Sequence, residues 1–150
     1  MVYELREGDV VVSCDAEKLD IDRIHTFLTA SYWAEGVSRE IVTRSIENSV
    51  PFGVYVVGEQ VGFARVITDR ASYAYLADVY VEEGHRGKGL SKVLMRAVMA
   101  HPELQGLRRW LLGTRHAHGL YRQFGFTELR RPVRWMEKAD PALYAHEVRE

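Results

Sequence analysis

Cysteine is almost absent from this chain. Cys14 is the only one, so no intrachain disulfide can form and a secreted, disulfide-stapled design is excluded. That usage suits a reducing cytoplasm, which is the expected location. Long apolar runs are absent too: no uninterrupted stretch approaches the roughly 20 residues a membrane helix needs. The opening residues Met-Val-Tyr-Glu-Leu-Arg-Glu-Gly-Asp lack the positive start, apolar centre and small-residue cleavage site of a signal peptide, so neither export nor a membrane partner is expected. Nor does one sign of charge dominate. With 20 basic and 21 acidic residues the net charge is -1, which argues against a protein whose main partner is the nucleic-acid backbone. Internal repeats and linkers are missing as well.

What is present is enough apolar surface for a core. At 150 residues and 47% hydrophobic, the chain has the make-up of one globular domain spanning residues 1–150. Asp9 to Ser13 reads as a short Val-rich strand, and Asp20 opens a helix whose Ile21, Ile24, Leu28 and Tyr32 share one face. Ser38 caps a second helix running through Asn48, and Pro51 prevents its continuation. An antiparallel meander follows: Phe52 to Val57, Gln60 to Thr68 and Ser72 to Glu82, joined by Gly58-Glu59 and Asp69-Arg70-Ala71. From Leu90 a helix resumes with Val93, Leu94, Ala97 and Val98 on one buried stripe, closed by His101-Pro102. Arg109 to Gly113 reads as a strand, and Ala117, Leu120, Tyr121 and Phe124 as a short helix ended by Gly125. Phe126 to Leu129 and Val133 to Glu137 are expected as final strands, with a loose tail from about residue 139 to Glu150. This order predicts a mixed α/β layered domain.

The segment with most chemical content runs from Val79 through Glu83-Gly84-His85-Arg86-Gly87-Lys88-Gly89 to Leu90 and Ser91, a strand passing through a basic glycine turn into a helix. Glycine permits backbone angles that aim successive N–H groups at one point, and the start of a helix adds positive potential there. Such a turn suits phosphate, although it also serves as a plain tight connection. The spacings of ATP-binding and dinucleotide-binding loops do not occur here.

Arg86-Gly87-Lys88-Gly89-Leu90-Ser91 resembles the Arg/Gln-x-x-Gly-x-Gly/Ala signature of GNAT acetyltransferases, with Ser91 where Gly or Ala is usual. A second block, Ala117 to Phe126, resembles that family's helix ending in a Tyr and a Gly-Phe pair. The resemblance implies a single-domain α/β (α+β) GNAT-type fold, with a mixed, mostly antiparallel sheet of six to seven strands, about four helices, and a splay between the fourth and fifth strands. It implies acetyl-CoA as donor, its pantetheine arm lying as a pseudo-strand between the strand ending at Val81 and the strand from Arg109. Val79, Tyr80 and Val81 would border that arm, and the amides of Gly87, Lys88, Gly89, Leu90 and Ser91 would hold the diphosphate. Arg86, Lys88 and Arg122 would add charge. Thr114 stands seven residues before Tyr121, where many members carry an Asn against the pantetheine.

Acetyl transfer to an amine needs a neutral nucleophile, stabilisation of the oxyanion, and a proton for the departing thiolate. An amine of pKa near 10 is only about 0.1% neutral at pH 7, a deficit of roughly 4 kcal/mol. By resemblance Tyr121 is the general acid, although its place on an apolar stripe would also suit core. Asp78, alone in the uncharged strand Tyr75 to Val81, is the candidate base or substrate-ammonium contact, and reads equally as a buried carboxylate satisfied by backbone N–H groups. Polyamine acetyltransferases are similar here, but their additional carboxylate falls on Ala77. Tyr32 and Trp33, beside Glu35, read as a hydrophobic lid packing on the sheet or, as the resemblance implies, as an aromatic, acidic wall of the acceptor site that suits a cation. His116 and His118 are two residues apart, a poor spacing for metal ligands on a helix, and no metal is expected. The acceptor would be a small-molecule or peptide amine, and relatives often dimerise through their C-terminal strands. A non-catalytic CoA-binding module and an interaction domain with a purely structural glycine turn stand as alternatives.

Overall fold

The computed structural model describes residues 2–144; the last part of the expected tail, 145–150, lies outside them. Six strands form one sheet in chain order: β1 (Glu4–Glu7), β2 (Val10–Ser13), β3 (Val50–Val56), β4 (Glu59–Thr68), β5 (Tyr73–Val81) and β6 (Arg109–Leu111). The first five pair antiparallel, and β5 pairs β6 in parallel. The architecture is the expected α/β single sheet with helices, and β1 is an addition to it. Its Leu5 packs on the core while Glu4 and Arg6 point outward, so charge on one face masked a strand of period two.

On one face lies α3 (Leu90–Ala100), burying Val93, Leu94, Ala97 and Val98 against Val12, Phe52, Val54 and Val66. On the other lie α1 (Ile21–Thr29) and α2 (Arg39–Glu47), burying Ile24, Leu28, Val42 and Ile46 around Phe63 and Tyr80. The helix starts were legible because the caps are present: Asp20 accepts from the Arg23 amide at 3.1 Å and Ser38 from that of Ile41 at 3.2 Å. Arg23 forks onto Glu82 at 2.7 and 2.8 Å and also reaches Glu59 at 2.7 Å, tying α1 to the end of β5 just before the glycine loop.

Two expectations are corrected. The first helix ends at Thr29, so Tyr32 and Trp33 project from the loop that follows it, where Ser31 Oγ donates to the Leu28 carbonyl and accepts from the Ala34 amide. Phe126 to Leu129 and Val133 to Glu137 form no strand; only a single turn of 3-10 helix, Pro132–Arg134, interrupts an open course. The outer edge of β6 is open, but Val133 and Met136 are 94% and 96% exposed, so these positions bury no apolar face that would hold the segment there as a strand.

Candidate active site

Where β5 and β6 run parallel, pairing stops after Tyr75↔Leu111. Beyond that point β5 continues to Val81 with no strand on that side, so a gap opens at the carboxyl ends of the two strands. A bulge sharpens the divergence: the register with β4 steps by one residue between Phe63↔Tyr80 and Arg65↔Ala77, and Asp78 sits inside the step at φ 55°. Asp is among the few residues that tolerate this left-handed angle.

The backbone facing the gap follows from the ladder. Glu82 N–H donates to Val61 O at 2.8 Å, which turns residues 80 and 82 toward β4 and, by alternation, Val79 and Val81 toward the gap. Tyr80, expected on the cofactor strand, therefore turns its backbone away. Its ring lies in the core, stacked on Phe27 at 3.8 Å between centroids. The Val81 carbonyl accepts from Arg86 Nε at 2.9 Å, so the Arg86 side chain braces the strand end before it can serve an anion.

At the mouth of the gap the glycine loop enters α3. Gly87 and Gly89 hold φ of 77° and 78°, and Gly89 is the N-cap of α3 with no side-chain cap bond. A Cβ on either would meet nothing within 4 Å, so the backbone angle, not crowding, is what calls for glycine. None of the N–H groups of residues 87 to 91 meets an acceptor among the described residues. Gly87, Lys88 and Gly89 are exposed, Ser91 is half-buried and Leu90 is buried, and their unpartnered amides at the positive end of an 11-residue helix suit a diphosphate in charge. Lys88 is exposed with no acidic partner among the described residues. Arg122, by contrast, is paired with Glu128.

The chain as a whole is similar to known proteins. The sequence profile of the Acetyltransferase (GNAT) family matches residues 19–126. The chain belongs to that family. A provisionally named GNAT acetyltransferase of Xanthomonas campestris pv. campestris has a crystal structure that superposes with a TM-score of 0.90 at 50% identity, over 93% of this chain and 99% of that one. A Gibberella zeae protein bearing a provisional acetyltransferase name is 29% identical over 147 residues, 82% of each chain. Glucosamine-6-phosphate N-acetyltransferase of Arabidopsis thaliana shares the fold at a TM-score of 0.57 and 17% identity.

In this GNAT fold a cavity of about 530 Å³ adjoins the gap, lined by the loop after α1, the middle of β5, the residues after β6, and Tyr121. Tyr121, on α4 (His118–Arg122), is buried, and burial pushes its phenol up to about 12. Its hydroxyl makes no hydrogen bond among the described residues. Thr114 Oγ1 accepts from the Ala117 amide at 3.1 Å and so anchors the turn into α4, while still lining the cavity. Tyr144 also packs on the α1 and α2 cluster and reaches the same cavity.

Asp78 has both carboxylate oxygens engaged: Oδ1 accepts from Trp33 Nε1 at 2.9 Å and Oδ2 from Arg65 Nε at 2.6 Å. The side chains of Arg65 and Asp78 are 17% and 11% exposed, so this is a largely buried ion pair. Among the described residues the acidic wall expected beside Tyr32 and Trp33 is absent from the cavity lining, which includes neither Glu35 nor any carboxylate besides Asp78. Arg65 and Arg115 line it instead, and both escaped the sequence reading. Arg65 carried a signal, being the lone charge in the strand from Val61 to Ile67, one strand over from the lone Asp78.

Proposed function

We propose that the chain is an acetyl-CoA-dependent N-acetyltransferase, one domain over residues 1–150, that moves the acetyl group directly to a primary amine of a small molecule or peptide. The observation that carries this reading is the row of unpartnered amides from Gly87 to Ser91 at the mouth of the β5/β6 gap. The bound donor supplies a thioester. The amides of residues 87 to 91 and Lys88 hold its diphosphate, and the gap-facing backbone of Val79 and Val81 lines its arm together with Thr114.

In this scheme the amine nitrogen attacks the carbonyl carbon, the C–S bond breaks, the nitrogen loses a proton and the sulfur gains one. A thiol ionises near 8.5 and Tyr121 near 12, so full proton transfer from Tyr121 to a thiolate is uphill by about 5 kcal/mol. Tyr121 therefore acts by donating a hydrogen bond to the leaving sulfur while keeping its proton. Asp78 positions Trp33 and Arg65 in the acceptor cavity. A lone buried thiol, Cys14, suits the cytoplasm.

Engagement of Asp78 leaves the cavity lining without a free carboxylate among the described residues, which favours one other reading, a CoA-binding module without turnover. A thiol-release assay over an amine panel separates them. The enzyme reading expects thiol release that falls in Tyr121→Phe; acetyl-CoA binding with no release from any amine would leave the module.

The open β6 edge and the exposed 127–138 segment also support a homodimer in which this segment finds its strand partner on a second copy. Light scattering should give twice the monomer mass, reduced by Met136→Asp; a monomer at micromolar concentration counts against it.

A further inference from the structure

We infer that the acceptor amine also carries a carboxylate and an apolar portion, as an amino acid with an aliphatic or aromatic side chain does. The inference rests on the acetyltransfer reading and narrows it. Among the described residues lining the acceptor cavity only Arg65, Asp78 and Arg115 are charged. The Arg65–Asp78 pair neutralises itself, which leaves Arg115 as the uncompensated charge.

Arg115 is pre-placed for an anion. Its guanidinium lies 3.9 Å from the centroid of the Tyr32 ring, and its backbone N–H donates to the Tyr32 hydroxyl at 3.2 Å. Stacking on a ring occupies the guanidinium face and leaves the in-plane N–H fork free, the geometry that takes a carboxylate bidentately. No carboxylate meets that fork among the described residues. Deeper in, Arg65 uses Nε on Asp78 and Nη1 on Ser49 Oγ at 3.1 Å, while its Nη2 has no acceptor among the described residues. The remaining wall is mainly apolar, with Leu28, Val37, Val42, Leu76 and Leu112 interrupted by Ser45, Thr114 and tyrosines. A polyamine would meet net positive charge here. An amino acid would have its carboxylate on the fork and its side chain on that wall.

The test compares kcat/KM by thiol release at saturating acetyl-CoA for alanine, leucine, methionine and phenylalanine, their amides, 2-phenylethylamine and spermidine. An amino-acid amide has the less basic nitrogen and would react faster if the carboxylate were not recognised. The expected result is a preference for at least one free amino acid over its amide of about tenfold to a hundredfold, the range for a hydrogen-bonded charge pair. Arg115→Gln should collapse that preference chiefly through KM, and Arg115→Lys should restore part of it. Equal or better use of the amides, 2-phenylethylamine or spermidine, no turnover of any free amino acid, or a preference untouched in Arg115→Gln would overturn the inference. Turnover confined to amines without a carboxylate sinks the inference alone. Failure of the wild-type protein to bind acetyl-CoA in calorimetry sinks the acetyltransfer reading beneath it.

Discussion

Replacing Asp78 by Asn separates a positioning role from a basic one. Asn tolerates the left-handed angle of 55° nearly as well as Asp and keeps a carbonyl oxygen for Trp33 Nε1 or Arg65 Nε, but it removes the charge opposite Arg65. Hydrogen bonds to charged groups contribute about 1.5–3 kcal/mol, and with 17% of the Arg65 side chain exposed, water recovers part of the loss that a fully buried cation would suffer. A loss near 2 kcal/mol in a domain of this size lowers Tm by about 4–8 °C. Thermal denaturation should show that drop, with kcat falling less than about tenfold. Asp78→Ala should be worse by a further 1–2 kcal/mol or so, because alanine disfavours the left-handed angle. A base acting directly contributes about a hundredfold to ten-thousandfold. If Asp78→Asn lost a hundredfold or more in kcat with Tm unchanged, the account of Asp78 as a brace would be refuted.

Tyr121→Phe should lower kcat by about ten- to a hundredfold, the worth of a hydrogen bond to a developing thiolate, with little change in acetyl-CoA affinity. Since burial keeps this phenol protonated to about pH 12, the wild-type rate should climb as the amine deprotonates and show no decline below pH 10 assignable to Tyr121. A decline near pH 9 that vanishes in the Phe variant would contradict that. His101 is buried, packed edge-on to Tyr3 and Phe52, and accepts from the Glu103 amide at 3.1 Å through Nδ1; burial holds its pKa below the ordinary value. Because the folded state favours the neutral ring, its contribution is present above the unfolded pKa near 6.5 and is lost as pH falls through that value. Denaturant midpoints should therefore drop between pH 7 and 5, and less so in His101→Asn; parallel pH curves would exclude His101 as the cause.

Much of the frame could be read from residue order because the local signals were strong and unopposed. Asp20 and Ser38 cap their helices, Val93 to Val98 form one stripe, and the glycine turn sits between a strand and a helix. The misses have physical causes. Glu4 and Arg6 hid a strand whose inner face is short, and Val133 and Met136 stay exposed in a segment whose composition reads as a strand. The acceptor cavity was the least legible part. Arg65 reaches Asp78 only because a bulge shifts the register by one residue and holds Asp78 at a positive φ, and neither is visible in a string of letters. Arg115 gains its position from a ring 83 residues earlier in the chain.

The central claim is that the amides of residues 87 to 91 grip the donor's diphosphate. Calorimetry of acetyl-CoA against acetyl-pantetheine, which lacks the diphosphate, tests it most directly when run on the wild-type protein and on Gly89→Val. The account predicts that acetyl-CoA binds at least tenfold more tightly than acetyl-pantetheine, and that Gly89→Val erases most of that difference by forcing the loop off its left-handed angle. Equal affinities for the two ligands, or an advantage for acetyl-CoA that survives Gly89→Val in full, would contradict it.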